Sequence, residues 1–390
     1  MRVAIITAMY PPNMTGTSFY SNNLADTLSR HGCSVEIITT KNDDPSYEDD
    51  SSPFVVHRIP ALHMPLKNYF KHLRFCSVIP GNYIRIKKII KKFDPDFILL
   101  INHYLDIAFP AIYAATVAKA PLYISIGTQL QSLNKFRHKI LQFLDRLIIG
   151  KLIFPRALKI ISWDKEIERY LKDVHNEKNV AKSVIIPFGV NGDLEYYKSN
   201  EYTYEDSTQI LGVGAIIDHR DYLYQIRVFN ELLKTFPNLT FKIIGNQYID
   251  KPVKLVQQFG IEDHVIFTGE LPHEEVLDEY NKSVLHWMML SGEYVGLGTS
   301  TIEAMLIGVP SISNIPENLF GLDLLHDMVN FIHTDGESIK SDLSKISSVL
   351  TDQKLRIKIG INGKNFVQKY MNWDLVAENY IQHFIQDSIH

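Results

Sequence analysis

The chain has 390 residues, 45% of them hydrophobic and 22% charged, with 20 Gly and 17 Pro. That length exceeds one core and predicts two domains, while the ordinary composition excludes disordered, collagen-like and coiled-coil classes. A formal net charge of −4 argues against a dedicated nucleic-acid binder, because phosphate binding draws on an excess of Lys and Arg. The two cysteines, Cys33 and Cys76, make no disulfide framework and suit a reducing compartment, and no Cys/His cluster reads as zinc, so the metal expectation is none. The opening apolar run is too short for a signal segment, and the longest others, such as Phe97 to Ile101, fall far below the ~20 residues of a membrane span. The expected location is the cytoplasm.

Residues 2–9 form an apolar, β-branched run, the pattern of a parallel strand buried on both faces. A loop with Pro11, Pro12 and Gly16 follows, then a helix over 18–30 with Phe19, Leu24 and Leu28 on one face and Gly32 as its stop. Strand patterns recur at 34–40, 54–59, 97–102, 121–126, 157–163 and 183–187. After a polar interval at 192–208 the alternation restarts, with strands at 209–216, 240–244, 264–268, 284–289, 309–313 and 328–333. Helices near 221–235, 250–259, 272–282 and 299–307 separate these, and two more patterns meet near Met371 to Trp373. The alternation predicts an α/β fold of two Rossmann-like, doubly wound parallel sheets, with ligands at the carboxyl ends of the strands.

Two strand-to-helix loops have the composition of anion sites. In the first, Gly16 and Thr17 open a helix, where backbone N–H groups and the helix dipole favour negative charge; a plain turn capped by Thr17 or Ser18 fits equally. The second, Ser291 to Met305, offers Gly296 and Gly298 for close approach, amides and hydroxyls at Thr299 and Ser300, and Glu303 in the first turns. That arrangement suits a phosphate at the amides and a sugar hydroxyl at the carboxylate, or a simple capped helix. Arg220 follows a strand on the same presumed edge, where a guanidinium can grip a diphosphate or merely face solvent. His103 ends the strand FILLINH, placed either to face a ligand or to serve the core. The first loop lacks GxGxxG, which counts against a dinucleotide oxidoreductase.

Charge is unevenly spread. Between 67 and 159, sixteen basic residues against four acids give +12, leaving −16 for the rest. Within that stretch Arg85 to Phe93 and Lys135 to Leu144 mix cations with apolar residues at helical spacing, which fits either solvated helix faces or docking on an anionic membrane surface.

Taken in order, these segments resemble the retaining glycosyltransferases of the GT-B fold, in the family 4 group (glycosyl transferases group 1), over nearly the whole chain. The matches include RVAIITAMYPPNMTGTSFY, PDFILLINH, VIIPFGVN, ILGVGAI, FKIIGN, VIFTGELPHEEV and, most specific, GLGTSTIEAMLIGVP. The resemblance implies two Rossmann-like domains facing a central cleft: an acceptor-binding domain over 1–191, a nucleotide-sugar domain over 192–371, and a C-terminal helix over 372–390 packing back on the first. Carried over residue by residue, the ribose-binding glutamate falls on Glu303 and the glycine before its helix on Gly298, while turns at Gly245 and from Gly269 to Leu271 line the nucleotide pocket. Of the basic pair that grips the diphosphate, one position is Ala215 and the other Arg220. The earlier glutamate of the two-glutamate motif falls on Val295, with Glu293 two residues away, and the family's Thr-x-His-Gly histidine is absent from Ser125 to Thr128.

The implied activity is metal-independent, retaining transfer of a hexosyl group from a nucleotide-diphosphate sugar, as co-substrate and with no other cofactor, to a glycan or lipid-linked hydroxyl acceptor. Bacterial-type cell-surface polysaccharide or glycolipid assembly, at the inner face of the membrane, is the implied setting. Arg220, Glu293 and His103 would be catalytic; Gly16, Thr17, Arg220, Gly245, Gly269, Leu271, Gly296, Gly298, Thr299, Ser300 and Glu303 would bind the donor. Two other readings remain: a non-catalytic relative that binds a nucleotide sugar or a partner transferase, favoured by Ala215 and Val295, and a nucleotide-sugar epimerase of the same fold.

Overall fold

The computed structural model describes residues 1–12, 15–41, 53–63, 74–103, 106–130, 135–190, 207–291, 296–321 and 324–388. The chain forms two compact units, Met1–Gly189 with Trp373–His390, and Val190–Asn372. Most of the polar interval at 192–208 lies outside the described residues.

The first unit is built on a seven-stranded parallel sheet. Its strands are β1 (Arg2–Thr7), β2 (Ser34–Thr40), β3 (Val55–Ile59), β6 (Phe97–Ile101), β7 (Leu122–Ile126), β8 (Lys159–Ser162) and β9 (Ser183–Ile185), in the order β3-β2-β1-β6-β7-β8-β9. A separate two-stranded ladder pairs β4 (Leu62–His63) with β5 (Arg74–Phe75). β6 and β7 are buried along their whole length, which is why their sequences FILLI and LYISI read as continuous rather than alternating apolar runs. The helices are α1 (Gly16–Arg30), α2 (Pro80–Phe93), α3 (Ala108–Ala118), α4 (Lys135–Leu144), α5 (Lys165–Tyr170) and α6 (Glu177–Val180). A π-helical segment, Asp145–Ile153, continues α4.

The second unit repeats the plan with six parallel strands, β10 (Gln209–Val213), β11 (Thr240–Ile244), β12 (Val265–Gly269), β13 (Ser283–Trp287), β14 (Ser311–Ser313) and β15 (Ile332–His333). Their order is β12-β11-β10-β13-β14-β15, so the winding reverses between β10 and β13. In such sheets ligands gather outside the carboxyl ends of the strands at that reversal. Helices α7 (Tyr222–Leu232), α8 (Lys251–Phe259), α9 (His273–Asn281) and α10 (Thr299–Ile307) fall where the spacing places them. A further helix, α11 (Ile339–Thr351), capped by Ser338, has no counterpart among the expected elements. The last two helical patterns are α12 (Gln353–Tyr370) and α13 (Trp373–Ser388).

Helix α13 packs on the first unit. The Tyr380 hydroxyl lies 2.9 Å from that of Tyr20, Phe384 stacks on Phe97 with centroids 4.5 Å apart, and Asp374 pairs with Arg30 at 2.9 Å. The first and last residues of the second unit lie together, with Val190 N donating to Met371 O at 2.7 Å.

Candidate functional site

At the carboxyl edge of the second sheet, glycines let successive strand ends lie against one another. Gly214 (φ 144°) follows β10 and its N–H donates to Ile244 O at 2.7 Å; Gly245 (φ 147°) follows β11 and its N–H donates to Gly269 O at 2.8 Å. A Cβ at Gly245 would sit 2.4 Å from Gly214 O, so the close approach of these turns requires glycine as much as the backbone angle does. At Gly214 the space is taken by Arg220: a Cβ there would overlap the guanidinium, whose Nη1 donates to Val213 O at 2.9 Å. Among the described residues no carboxylate lies in ion-pair range of Arg220, and a fork with several N–H donors in hand remains for an anion.

The loops after β10 and β13, which flank the winding reversal, are tied together. Asp221 N donates to Met289 O at 3.1 Å and Ser291 N to His219 O at 3.0 Å, while Asn314 clamps Leu290 through both its amide atoms at 3.0 and 2.8 Å. Asp221 caps α7 through the N–H of Tyr224, which fixes the direction in which Arg220 leaves the chain.

Helix α10 starts at the same edge. Its N-cap is Gly298, and no side chain caps it among the described residues; Gly298 O accepts from the N–H groups of Thr301 and Ile302, leaving those of Thr299 and Ser300 unclaimed. Unclaimed amides at the positive end of a helix form an anion site. Glu303 is four residues from Thr299, hence on the same face one turn on. Its side chain is 19% exposed, and Oε1 lies 3.2 Å from Nε2 of His273 at the start of α9. That hydrogen bond raises the pKa of His273 above its ordinary value. Beneath the helix start, Tyr280 donates to Ser300 O at 2.8 Å, and Nε2 of His286 lies 3.4 Å from Thr301 Oγ1. Burial drives the pKa of His286 down to about 3, so this imidazole stays neutral below a positive helix end.

The structure therefore brings Gly245, Gly269 with the adjoining Leu271, Arg220, Gly298, Thr299, Ser300 and Glu303 to one sheet edge, with Gly296 (φ 150°) in the approach to α10. Glu293 and Val295 lie outside the described residues. His273 and Asn314 are the additions. Neither has a signal in its own surroundings: His273 reaches Glu303 across 30 residues of chain, and Asn314 follows an ordinary buried strand.

The first unit departs from expectation at two places. Thr15, rather than Thr17 or Ser18, caps α1: its Oγ1 accepts from Ser18 N at 3.1 Å while Ser18 Oγ accepts from Thr15 N at 2.7 Å, so this helix end holds side-chain oxygens of its own. Gly16 is the exposed first residue of α1, and Thr17 Oγ1 accepts from Asn102 Nδ2 at 2.6 Å. Asn102, left-handed at φ 61°, also accepts from Gly127 N at 3.2 Å and so ties α1 to the end of β7. The second departure is His103, which does not face a ligand. It is fully buried, with Nε2 2.9 Å from Tyr170 OH; that hydroxyl donates to the buried Asp145 and lies 3.1 Å from Nε2 of His175. Burial lowers the His103 pKa to about 4, and the residue serves the core.

Comparison with known proteins decides the family. The model for glycosyl transferases group 1 matches residues 193–366, and that for glycosyltransferase family 4 matches residues 14–194. The chain belongs to the group 1, family 4 type glycosyltransferases. An uncharacterized glycosyltransferase of Methanocaldococcus jannaschii is 23% identical over 95% of this chain and 94% of its own, and mannosylfructose-phosphate synthase of Agrobacterium fabrum is 24% identical over 82% and 77%. In fold, the chain is similar to sucrose-phosphate synthase from Thermosynechococcus elongatus (TM-score 0.74, 18% identity, 99% of this chain and 98% of that one). The Anabaena protein HepE, solved with UDP, gives a TM-score of 0.73 at 12% identity over 99% of this chain and 100% of its own. Both of this glycosyltransferase's units are thus parallel-sheet α/β domains of the GT-B type.

Proposed function

We propose that this glycosyltransferase binds a nucleotide-diphosphate hexose on its second unit and transfers the sugar, with retention, to a hydroxyl of a glycan or lipid-linked glycan. The observation that carries the reading is the start of α10, where two unclaimed amides stand one turn from the Glu303 carboxylate on the edge that also holds Arg220. In this assignment the Thr299 and Ser300 amides and the Arg220 guanidinium receive the diphosphate, and Glu303 accepts hydrogen bonds from the ribose hydroxyls. As the glycosidic bond breaks, negative charge grows on the leaving diphosphate, and fixed N–H donors with a helix dipole stabilise that charge without having to reorient. The acceptor proton passes to an oxygen of the departing phosphate. With Ala215 in place of the family's first cation, Arg220 carries the diphosphate contact, and the helix end and guanidinium supply the charge compensation, so turnover is expected to persist in EDTA.

The test is donor binding and turnover across UDP-, GDP-, ADP- and CMP-sugars. Loss of a charge-assisted hydrogen bond typically costs about 1.5–3 kcal/mol, so Arg220→Ala should weaken the preferred donor on the order of 10- to 100-fold. Glu303→Gln should weaken it less, since an amide oxygen still accepts one bond. If both variants leave affinity and turnover unchanged, the assignment is wrong. Ala215 also favours a second reading, a relative that binds the donor without turning it over; binding with no transfer across the acceptor panel would establish that one instead.

A further inference from the structure

Two helices of the first unit have the same basic, amphipathic sequence pattern but opposite packing. Helix α2 puts Ile86 and Ile90 in the core and leaves Arg85, Lys87, Lys88, Lys91 and Lys92 in solvent, so its apolar stripe is already used. Helix α4 has no buried residue at all. Phe136 is 74% exposed and Phe143 63%, and Ile140, Leu144 and Leu147 are exposed as well. Positions 136, 140, 143, 144 and 147 follow the helical repeat, so they form one apolar stripe facing outward. Exposed Lys135, Arg137, Lys139, Arg146, Lys151 and Arg156 flank it. The acid within this stretch, Asp145, is buried and engaged by Tyr170. The π-helical continuation is anchored, because Ile149 and Ile153 sit in the core with Phe154.

We propose that α4 and the first turn after it form a docking surface for an anionic lipid bilayer, lying in the plane of the headgroups with the apolar stripe inserted. The charge pattern selects this occupant. A second copy of the chain would bring face to face two stripes whose own helix carries Lys and Arg and no exposed acid, whereas a bilayer supplies hydrocarbon for Phe143 and Leu147 and anionic headgroups for those Lys and Arg. No described helix is long and apolar enough to cross a membrane, so attachment by this face is interfacial. The surface is independent of the donor site: it can fail with the functional reading intact, and the reverse.

Cosedimentation of the full chain with phosphatidylglycerol/phosphatidylcholine vesicles, against pure phosphatidylcholine, tests the proposal. Phe143→Ser with Leu147→Ser changes no buried residue and should lower the partition coefficient about tenfold or more, with nucleotide affinity unchanged. The fourfold α2 variant Lys87→Gln, Lys88→Gln, Lys91→Gln, Lys92→Gln should lower it less. In Phe143→Trp the emission should shift to the blue with anionic vesicles, which reports insertion directly. Unchanged partitioning of the double variant, or no emission shift, would overturn the proposal. So would a wild-type dimer that the double variant converts to monomer without any vesicle binding.

Discussion

Helices α1 and α10 are placed alike, each following a strand (β1 and β13) beside the winding reversal of its parallel sheet, yet their N-termini are finished differently. At α1 the capping box of Thr15 and Ser18 covers the end with two side-chain oxygens. At α10 the cap is a glycine without a side chain, and Thr299 and Ser300 keep their amides for another partner. A cap stabilises a helix by filling the place an anion would take, so one end is closed by the chain's own side chains and the other is left open, as the proposed donor site requires. The comparison teaches that a glycine before a helix is informative when it stands at the N-cap itself; Gly16, one position inside α1, leaves room for Thr15 to cap.

The support beneath the two ends also differs, and acid should separate them. Under α1, Ser21 Oγ lies 3.2 Å from Thr7 Oγ1, and neither group titrates. Under α10 lies His286, whose folded pKa of about 3 is well below the ordinary value near 6.5. The unfolded chain therefore binds a proton that the folded one refuses. The neutral form's contribution is fully present above about pH 6.5 and is lost progressively as pH falls toward 3. Urea unfolding at pH 7 and pH 5 should show a loss of stability that is shallower in His286→Gln; equal slopes would contradict this role.

Smaller effects test the caps themselves. Thr15→Ala should cost about 1 kcal/mol in unfolding free energy, the ordinary value of an N-cap, with nucleotide affinity unchanged. Gly298→Ser has no steric obstacle, since Gly298 has φ −65° and only Ser300 Oγ, at 3.9 Å, comes near a built Cβ. It should leave stability equal or raised by a few tenths of a kcal/mol while weakening nucleotide binding, because the new hydroxyl competes for the amides. Calorimetric titration beside thermal melts checks both, and a Gly298→Ser protein that binds as tightly as the wild type would break the comparison.

Much of this arrangement is legible in the sequence. Parallel strands buried on both faces, such as Phe97 to Ile101 and Leu122 to Ile126, announce themselves as apolar runs, and Gly298 and Glu303 lie five residues apart within one local motif. What depends on distant partners is not legible. His103 ends a strand much as a ligand-facing residue would, and only its closeness to Tyr170, 67 residues on, and to Asp145 shows that it belongs to the core. The patterns of α2 and α4 are equivalent as sequence; whether another element covers the apolar stripe is decided by packing.

The central claim, that the uncapped start of α10 holds the donor diphosphate, is tested most directly by placing proline at the first helical position of each end. There proline removes one N–H while its fixed φ suits the helix, and the extended residues before it, Thr15 and Gly298, accommodate the ring. Titrating UDP and GDP against Thr299→Pro and Gly16→Pro should show affinity for the preferred nucleotide reduced on the order of tenfold in Thr299→Pro and unchanged within twofold in Gly16→Pro. Equal losses in both, or a loss confined to Gly16→Pro, would contradict it.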